Sequence, residues 1–202
     1  MLKKLKYEDA LKQIIRRYFT CYGPATVYDL LHWLGFSTSK TAYTELETLC
    51  YQMNSLVQYA PGLWGTKTNL TTLINLDAES ILEDNIFFLG KFDPLLLAYS
   101  DKSWLVEEKY NNIIWRKAGH VSGTVIVNGS ACATWNTELK KDCIKVSIIK
   151  FKCCVIDKNR ISKSILKIAC LYQCNTAICY IFDTDNTLTD SYAWEVNNAY
   201  FI

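Results

Sequence analysis

The sequence predicts an α+β fold, because apolar residues follow a helical period in the first part and a strand period in most of the rest. Over residues 3–20 apolar side chains recur every three or four positions, as on one face of an amphipathic helix. After residue 85 short β-type runs separated by turns take over. An acidic stretch, residues 77–84, separates the two patterns and predicts two domains, 1–84 and 85–202.

Residues 1–84 are predicted to contain three helices followed by a hairpin. Capping and turn residues mark the helix ends: Gly23-Pro24, Thr26, Gly35 and Ser39. The third helix is predicted over residues 39–52, and two short strands over residues 56–59 and 63–67. Three helices, with a tight turn between the second and third, and then a hairpin are the order of a winged helix-turn-helix.

Residues 85–202 are predicted to be mainly antiparallel β, as a small β-barrel or a curled sheet, with one helix. The strand-like runs before the helix are residues 86–89, 104–107, 124–127, 132–135 and 144–149. Asn128-Gly129 lies between two of them and favours a type I′ hairpin. The helix is predicted over residues 157–173, with Asp157 as a candidate cap, and a further strand over residues 176–182.

Charge is distributed unevenly along the chain, although its total is only +2. Residues 21–110 carry a net charge of −6, and residues 111–182 carry +8. Such asymmetry points to a polyanionic partner, but a solvated basic face has the same signature. With 50% hydrophobic and 21% charged residues, the composition excludes a disordered chain.

Neither a membrane span nor a secretory signal is predicted. The most apolar run, residues 168–182, has 15 residues with polar interruptions, against the roughly 20 that a span needs. Nine cysteines fit no paired framework, so they predict reduced thiols in a cytoplasmic protein. No cofactor and no metal site is expected, because the zinc-ligand spacings and phosphate-binding glycine loops are missing from the sequence.

Three stretches carry a resemblance to a known family. They are Arg17-Tyr18-Phe19 through Gly23-Pro24-Ala25-Thr26 to Trp33-Leu34-Gly35-Phe36, then Phe92-Asp93-Pro94, then Gly123-Thr124-Val125 through Gly129 to Ala133-Thr134-Trp135. Their order and spacing over residues 16–136 resemble the winged-helix DNA-binding family that contains the AlkZ-like DNA glycosylases, enzymes that unhook interstrand crosslinks.

The resemblance implies tandem winged helices and a C-terminal β-barrel around a concave DNA-binding face. This chain would then be the C-terminal half, truncated or paired with a missing N-terminal partner. In the family, the N-terminal part carries two polar residues, often glutamines, separated by one residue, which position the attacking water. The glutamines of this chain, none of them so spaced, are Gln13, Gln52, Gln58 and Gln173. We therefore expect no catalytic residue, and no autonomous glycosylase activity, in this chain.

Candidate DNA contacts fall on the third helix, at the hairpin and in a basic loop before the strand at residue 124. They are Lys40, Thr41, Thr44, Lys67, Arg116, Lys117 and His120. On the third helix, the carboxylates of Glu45 and Glu47 would repel the DNA phosphate backbone. This face is therefore poorly suited to recognising a base sequence. The basic loop lies beside aromatic residues, so together they can bind a phosphate and stack on a base. An ordinary solvated loop would have the same sequence pattern.

The sequence thus predicts weak, backbone-directed binding to double-stranded DNA without catalysis. The alternative is a protein–protein interaction module, or a fragment that buries an apolar face against a missing N-terminal domain. A complete enzyme with an unrecognised site would need a converging set of acids that the sequence does not offer.

Overall fold

The computed structural model describes residues 6–76, 86–152, 154–156 and 158–196. The chain divides into two compact units. Unit 1 comprises Met1–Asp77 and Pro94–Asp101, and unit 2 comprises Ala78–Asp93 and Lys102–Ile202. Residues 77–84, where the domain boundary is predicted, lie outside the described residues, so that boundary stays a prediction.

Helices and strands are grouped in separate stretches of the chain, as is typical of an α+β fold. The described helices are α1 (Tyr7–Tyr22), α2 (Val27–Leu34), α3 (Lys40–Gln52), α4 (Lys67–Asn75), α5 (Pro94–Leu97), α6 (Asn111–Ile114) and α7 (Lys158–Leu171), with 3-10 turns at Glu108–Tyr110 and Lys117–Gly119. The described strands are β1 (Ala25–Thr26), β2 (Leu56–Ala60), β3 (Leu63–Thr66), β4 (Ile86–Leu89), β5 (Gly123–Val127), β6 (Ser130–Lys140), β7 (Cys143–Lys150), β8 (Thr176–Phe182) and β9 (Leu188–Glu195).

The helix ends of unit 1 follow from the capping residues in the sequence. Helix α1 ends where the Gly23 N–H donates to Phe19 O at 3.1 Å. Thr26 caps α2 by accepting a hydrogen bond from the Asp29 N–H at 3.1 Å, and Gly35 ends that helix with a φ of 67°. Ser39 caps α3. The three predicted helices are therefore confirmed, with α1 bounded by Tyr7 and Tyr22.

Unit 1 also contains two elements that the sequence pattern did not indicate. The hairpin of β2 and β3 is confirmed, and the two-residue strand β1 extends it by pairing with β3. Helix α4 follows directly, capped by Thr66, which accepts from the Asn69 N–H at 3.2 Å. No residue of α4 is buried, and its apolar residues at helical spacing, Leu70, Leu73 and Ile74, span little more than one turn.

The segment Pro94–Asp101 belongs to unit 1, although β4 of unit 2 precedes it in the chain. Tyr18 Oη donates to Ala98 O at 2.7 Å, in the buried core. Asp29 Oδ1 accepts from both the N–H (2.8 Å) and the hydroxyl (2.7 Å) of Ser100. Unit 1 is thus held together by contacts between residues about 70 to 80 positions apart.

The sheet of unit 2 has six strands in the order β4-β5-β6-β7-β8-β9. All neighbours are antiparallel except β7 and β8, which are parallel because α7 connects them as a crossover. Within the described ranges no pairing joins β4 to β9, so the predicted antiparallel β-barrel is corrected to an open, mixed sheet. The sheet buries one face under α7, with Ile161, Ile165 and Ala169 in the core, rather than by closing on itself.

Individual strand predictions in unit 2 had mixed outcomes. The hairpin at Asn128-Gly129 is confirmed, with positive φ at both residues (50° and 81°). The run at 104–107 is not a strand: Leu105 and Val106 are buried, but both N–H groups turn back onto Lys102 O. The tail, for which no strand was predicted, forms β9. Asp157, the expected cap of α7, lies outside the described part of the chain.

Two of the nine cysteines form a disulfide, Cys132–Cys154, which corrects the expectation of reduced thiols at these two positions. The free thiols in the described ranges are Cys21, Cys50, Cys143, Cys170, Cys174 and Cys179. Burial raises the pKa of Cys50 and of Cys179 to about 12, so both remain protonated core side chains.

No described helix combines the length and the apolar character that crossing a membrane requires. No cluster of three or more His, Cys, Asp or Glu side chains with a geometry for a metal ion occurs in the described ranges.

Candidate nucleic-acid interface

The basic loop between α6 and β5 is a closed turn. Its ends are joined by the Arg116 N–H, which donates to His120 O at 2.8 Å, and by a bridge between Trp115 and Val121. Ala118 reverses the chain with a φ of 62°. The closed ends keep Arg116 and His120 next to each other.

Arg116 and His120 line a cavity of about 250 Å³ together with Lys91, which follows β4. The remaining lining residues are hydroxyl, amide, apolar or glycine: Ser122, Gly123, Thr134, Trp135, Asn136, Ser147 and Ile149. No carboxylate is among the described residues around this cavity. Cationic side chains beside hydroxyl donors, with no carboxylate in the described lining, favour a bound anion.

Strand register explains why these polar side chains meet. Thr134 pairs with Ile149, and Asn136 pairs with Ser147, across β6 and β7. Because side chains alternate along a strand, these residues share the face opposite to the one that carries Ala133 and packs against α7. The free face of the sheet therefore presents the polar lining of the cavity.

A second cavity, of about 310 Å³, adjoins the first. Its lining residues are Gly90, Lys91, Gly123, Trp135, Asn136, Thr137 and Tyr172. Four of these also line the first cavity: Lys91, Gly123, Trp135 and Asn136. Strand β5 begins at Gly123, opposite Trp135, so β6 runs on without its β5 neighbour and the two cavities meet at this step. We call the two cavities together the Lys91 groove.

Trp135 is held rigidly at the step. Its Nε1–H donates to Leu89 O at 2.6 Å, and the Phe88 ring meets it edge-on with centroids 5.3 Å apart. A Cβ at Gly123 would lie 2.9 Å from Trp135 Nε1 and 3.0 Å from Trp135 O, so glycine is what lets the two strands approach here. The tryptophan is thus positioned before any ligand arrives.

The third-helix candidates meet at a different cavity, within unit 1. Lys40, Thr41 and Thr44 are exposed and line a space of about 730 Å³. The other residues around it are Tyr7, Glu8, Leu11, Glu45, Thr48, Leu49 and Gln52. Glu8 is paired with Lys12, and Glu45 offsets Lys40, so this surface has no excess positive charge to attract a phosphate backbone.

Hydrogen bonds within α3 occupy several of its polar side chains. Thr44 Oγ1 donates to Lys40 O at 2.9 Å, which uses its only hydroxyl proton. Tyr43 Oη donates to Glu47 Oε1 at 3.0 Å, and burial followed by this bond raises the pKa of Tyr43 to about 12. The helix therefore offers an approaching backbone fewer free donors than its sequence indicates.

Two further sequence candidates lie outside these cavities. Lys67 is exposed at the first position of α4, and Lys117 is exposed in the 3-10 turn of the basic loop. Sequence reasoning missed Lys91, Asn136 and Tyr172, which come from three separated parts of the chain and carry no common motif. Only the strand register and the end of α7 bring them together with Arg116.

The fold and the Lys91 groove define an α+β protein with a cation-lined surface suited to an anionic ligand. The chain belongs to the AlkZ-like DNA glycosylase family, because the family's sequence profile, DNA glycosylase AlkZ-like, matches residues 4–152. This membership relates the chain to proteins of DNA repair. The match ends before α7, so Tyr172 lies beyond it.

Among solved structures, the chain is similar to the DNA glycosylase AlkZ of Streptomyces sahachiroi. The TM-score is 0.67 and the sequence identity 22%, over 83% of this chain and 44% of that one. At this identity the likeness concerns the fold, and the chain spans less than half of that protein's length. No curated protein sequence matches the chain.

Proposed function

We propose that this chain binds DNA through the phosphate backbone and that the Lys91 groove is its main contact surface. The observation that carries the proposal is the convergence of Lys91, Arg116 and His120 on one cavity without a carboxylate in its described lining. Backbone contacts of this kind supply most of the non-specific affinity of DNA-binding proteins. Membership in a DNA glycosylase family supports the same ligand class.

We further propose that unit 1 is a winged helix. Its support is the element order: three helices, a tight turn between α2 and α3, and the hairpin of β2 and β3 as the wing, with β1 completing the small sheet. Helix α3 would be the recognition helix, and Lys40, Thr41, Thr44 and Lys67 would contribute secondary contacts. Lys117 would add one more cation beside Arg116.

Binding rather than catalysis is the proposed role of this chain. No two of its glutamines are separated by one residue, which is the pattern that the family resemblance implies for positioning water. Incubation with alkylated duplex DNA, followed by alkaline cleavage at abasic sites, should yield no strand breaks above background. Breaks that depend on the chain would overturn this part of the proposal.

The binding proposal is tested with a labelled short duplex titrated at several salt concentrations. Arg116→Ala and Lys91→Ala should each weaken binding and reduce the slope of log K against log salt by about 0.9, one phosphate contact. Lys163→Ala is the matched control, because this exposed lysine of α7 does not line the groove. No binding at low salt, or an equal effect of the control, would refute the proposal.

A second candidate function, a protein–protein interaction module, is favoured by the cavity of unit 1. Glu8 and Glu45 line it beside the exposed ring of Tyr7 and the apolar Leu11, which fits a partner with basic and apolar side chains. Glu45→Lys separates the two functions. If α3 faces DNA, removing this repulsive charge should tighten duplex binding, whereas a surface reserved for a protein partner leaves duplex affinity unchanged.

A further inference from the structure

We infer that the Lys91 groove takes an unpaired nucleotide, with its phosphate in the cavity of Arg116 and His120 and its base in the cavity of Trp135 and Tyr172. The inference rests on the proposed DNA binding and names the form of nucleic acid that this groove prefers. It concerns a single strand or a displaced base, which neither the family match nor the fold likeness specifies.

The two halves of the groove differ in chemistry as the two halves of a nucleotide do. Arg116, His120 and three hydroxyl side chains line only the first cavity, and Tyr172 lines only the second, whereas Trp135 lies where they meet and lines both. Lys91 and Asn136 line both cavities. Cations that follow the backbone, with aromatic rings that stack on bases, are the combination by which proteins hold single strands.

The sheet places the two cavities around one edge. Asn136 and Thr134 project to the free face of the sheet, whereas Trp135 and Thr137 project to the face of α7. A nucleotide that crosses this edge has its phosphate on one side and its base on the other. A base within a duplex cannot follow this path, because it is stacked between its neighbours and paired with the opposite strand.

The aromatic cavity is prepared for a flat ring. Trp135 is fixed by its bond to Leu89 O and by Phe88, so little freedom is lost when a base arrives. Tyr172 is 51% exposed at the end of α7, where its N–H donates to Ile168 O at 3.2 Å. A volume of about 310 Å³ is at the lower end for small-molecule sites, and suits one base.

Few groups in this cavity can read the identity of the base. Its described lining offers the neutral polar groups of Asn136, Thr137 and the Tyr172 hydroxyl, and Lys91 is the one charge. Stacking on aromatic rings tolerates every base, because each base has a π face. We therefore expect recognition of an unpaired nucleotide with little sequence preference.

The test compares three labelled probes by fluorescence anisotropy: a short single strand, the same strand with abasic sites, and the matching duplex. Tyr172→Ala should weaken binding to the base-containing strand about tenfold, the loss of one stacked base, and leave the abasic strand and the duplex unchanged. Tyr172→Phe, which keeps the ring, should bind like the wild type. Leu171→Ala is the control, because this neighbour is 82% exposed and does not line the groove.

The outcomes separate this inference from the proposed function. Equal wild-type affinity for the base-containing and abasic strands, or an equal loss for both on Tyr172→Ala, overturns the inference. A comparable loss on Leu171→Ala overturns it too. In each of these cases, duplex binding that still depends on Arg116 retains the proposed function. If no probe binds at low salt, both fail.

Discussion

Removal of Asp29 should destabilise unit 1 strongly, through loss of a buried carboxylate with four hydrogen bonds. Oδ2 accepts from the N–H (2.9 Å) and hydroxyl (2.7 Å) of Thr26, and Oδ1 accepts from the N–H (2.8 Å) and hydroxyl (2.7 Å) of Ser100. Asp29→Ala leaves two backbone N–H groups without this acceptor. A hydrogen bond to a charged group contributes about 1.5–3 kcal/mol, and bonds that share one carboxylate are not additive.

We therefore expect Asp29→Ala to lower the free energy of unfolding by about 3–4 kcal/mol, out of a typical total of about 5–15 kcal/mol. Urea denaturation followed by circular dichroism measures it. Ser100→Ala is the graded control, because it removes one hydroxyl donor but keeps the Ser100 N–H bond. It should cost about 1 kcal/mol.

The same carboxylate predicts a pH dependence of defined sign. Burial raises the pKa of Asp29, but hydrogen bonds from Thr26 and Ser100 outweigh it, so the pKa lies below its ordinary value. A lowered pKa stabilises the fold above the unfolded pKa, and this contribution disappears as the pH falls through the folded one. The difference between wild type and Asp29→Ala should hence be full at pH 7 and shrink below about pH 4. A loss under 1 kcal/mol at pH 7, or one that does not change with pH, would refute the reasoning.

Two further predictions concern close packing. Gly123→Ala places a Cβ 2.9 Å from Trp135 Nε1, so we expect about 1–3 kcal/mol of destabilisation and weaker duplex binding, measured by thermal unfolding and by titration. Gly90→Ala, with open space around its Cβ, should change stability little, and equal effects of the two variants would contradict the argument. Tyr18→Phe leaves the buried Ala98 carbonyl without its 2.7 Å donor, at a cost of about 1–2 kcal/mol in urea denaturation. An unchanged midpoint would show that this bond contributes nothing net.

The sequence predicts the elements of unit 1 well because their ends depend on local chemistry. Thr26, Gly35 and Ser39 act within a few residues of themselves, so their effect on helix boundaries is readable from the chain alone. Strand β1 and helix α4 were not predicted, because their local sequence signals are weak. Strand β1 has only two residues, and the apolar residues at helical spacing in α4, Leu70, Leu73 and Ile74, span little more than one turn, so each element gives only a short signal.

The open form of the six-stranded sheet and the composition of the Lys91 groove depend on contacts between residues that are distant in sequence. The alternation of apolar and polar residues identifies strands. It does not indicate that β7 and β8 run parallel, connected by α7, in a sheet that stays open. In the same way, Arg116 and His120 could be recognised as a basic loop, whereas Lys91 and Tyr172 join them only through the fold. Arg116 and His120 could therefore be predicted from the sequence, whereas Lys91, Asn136 and Tyr172 could not.

The membership of Pro94–Asp101 in unit 1 has a consequence for how the chain is made and divided. During synthesis, Tyr18 and Asp29 emerge from the ribosome well before Ala98 and Ser100. Their hydrogen bonds to these residues can form only after β4 of the other unit has also been synthesised. A fragment cut at residue 84 would leave Tyr18 Oη and Asp29 Oδ1 without these hydrogen-bond partners, however complete its helices look. A fragment of the first unit would need residues 94–101 supplied in trans, as a peptide, to regain its full stability.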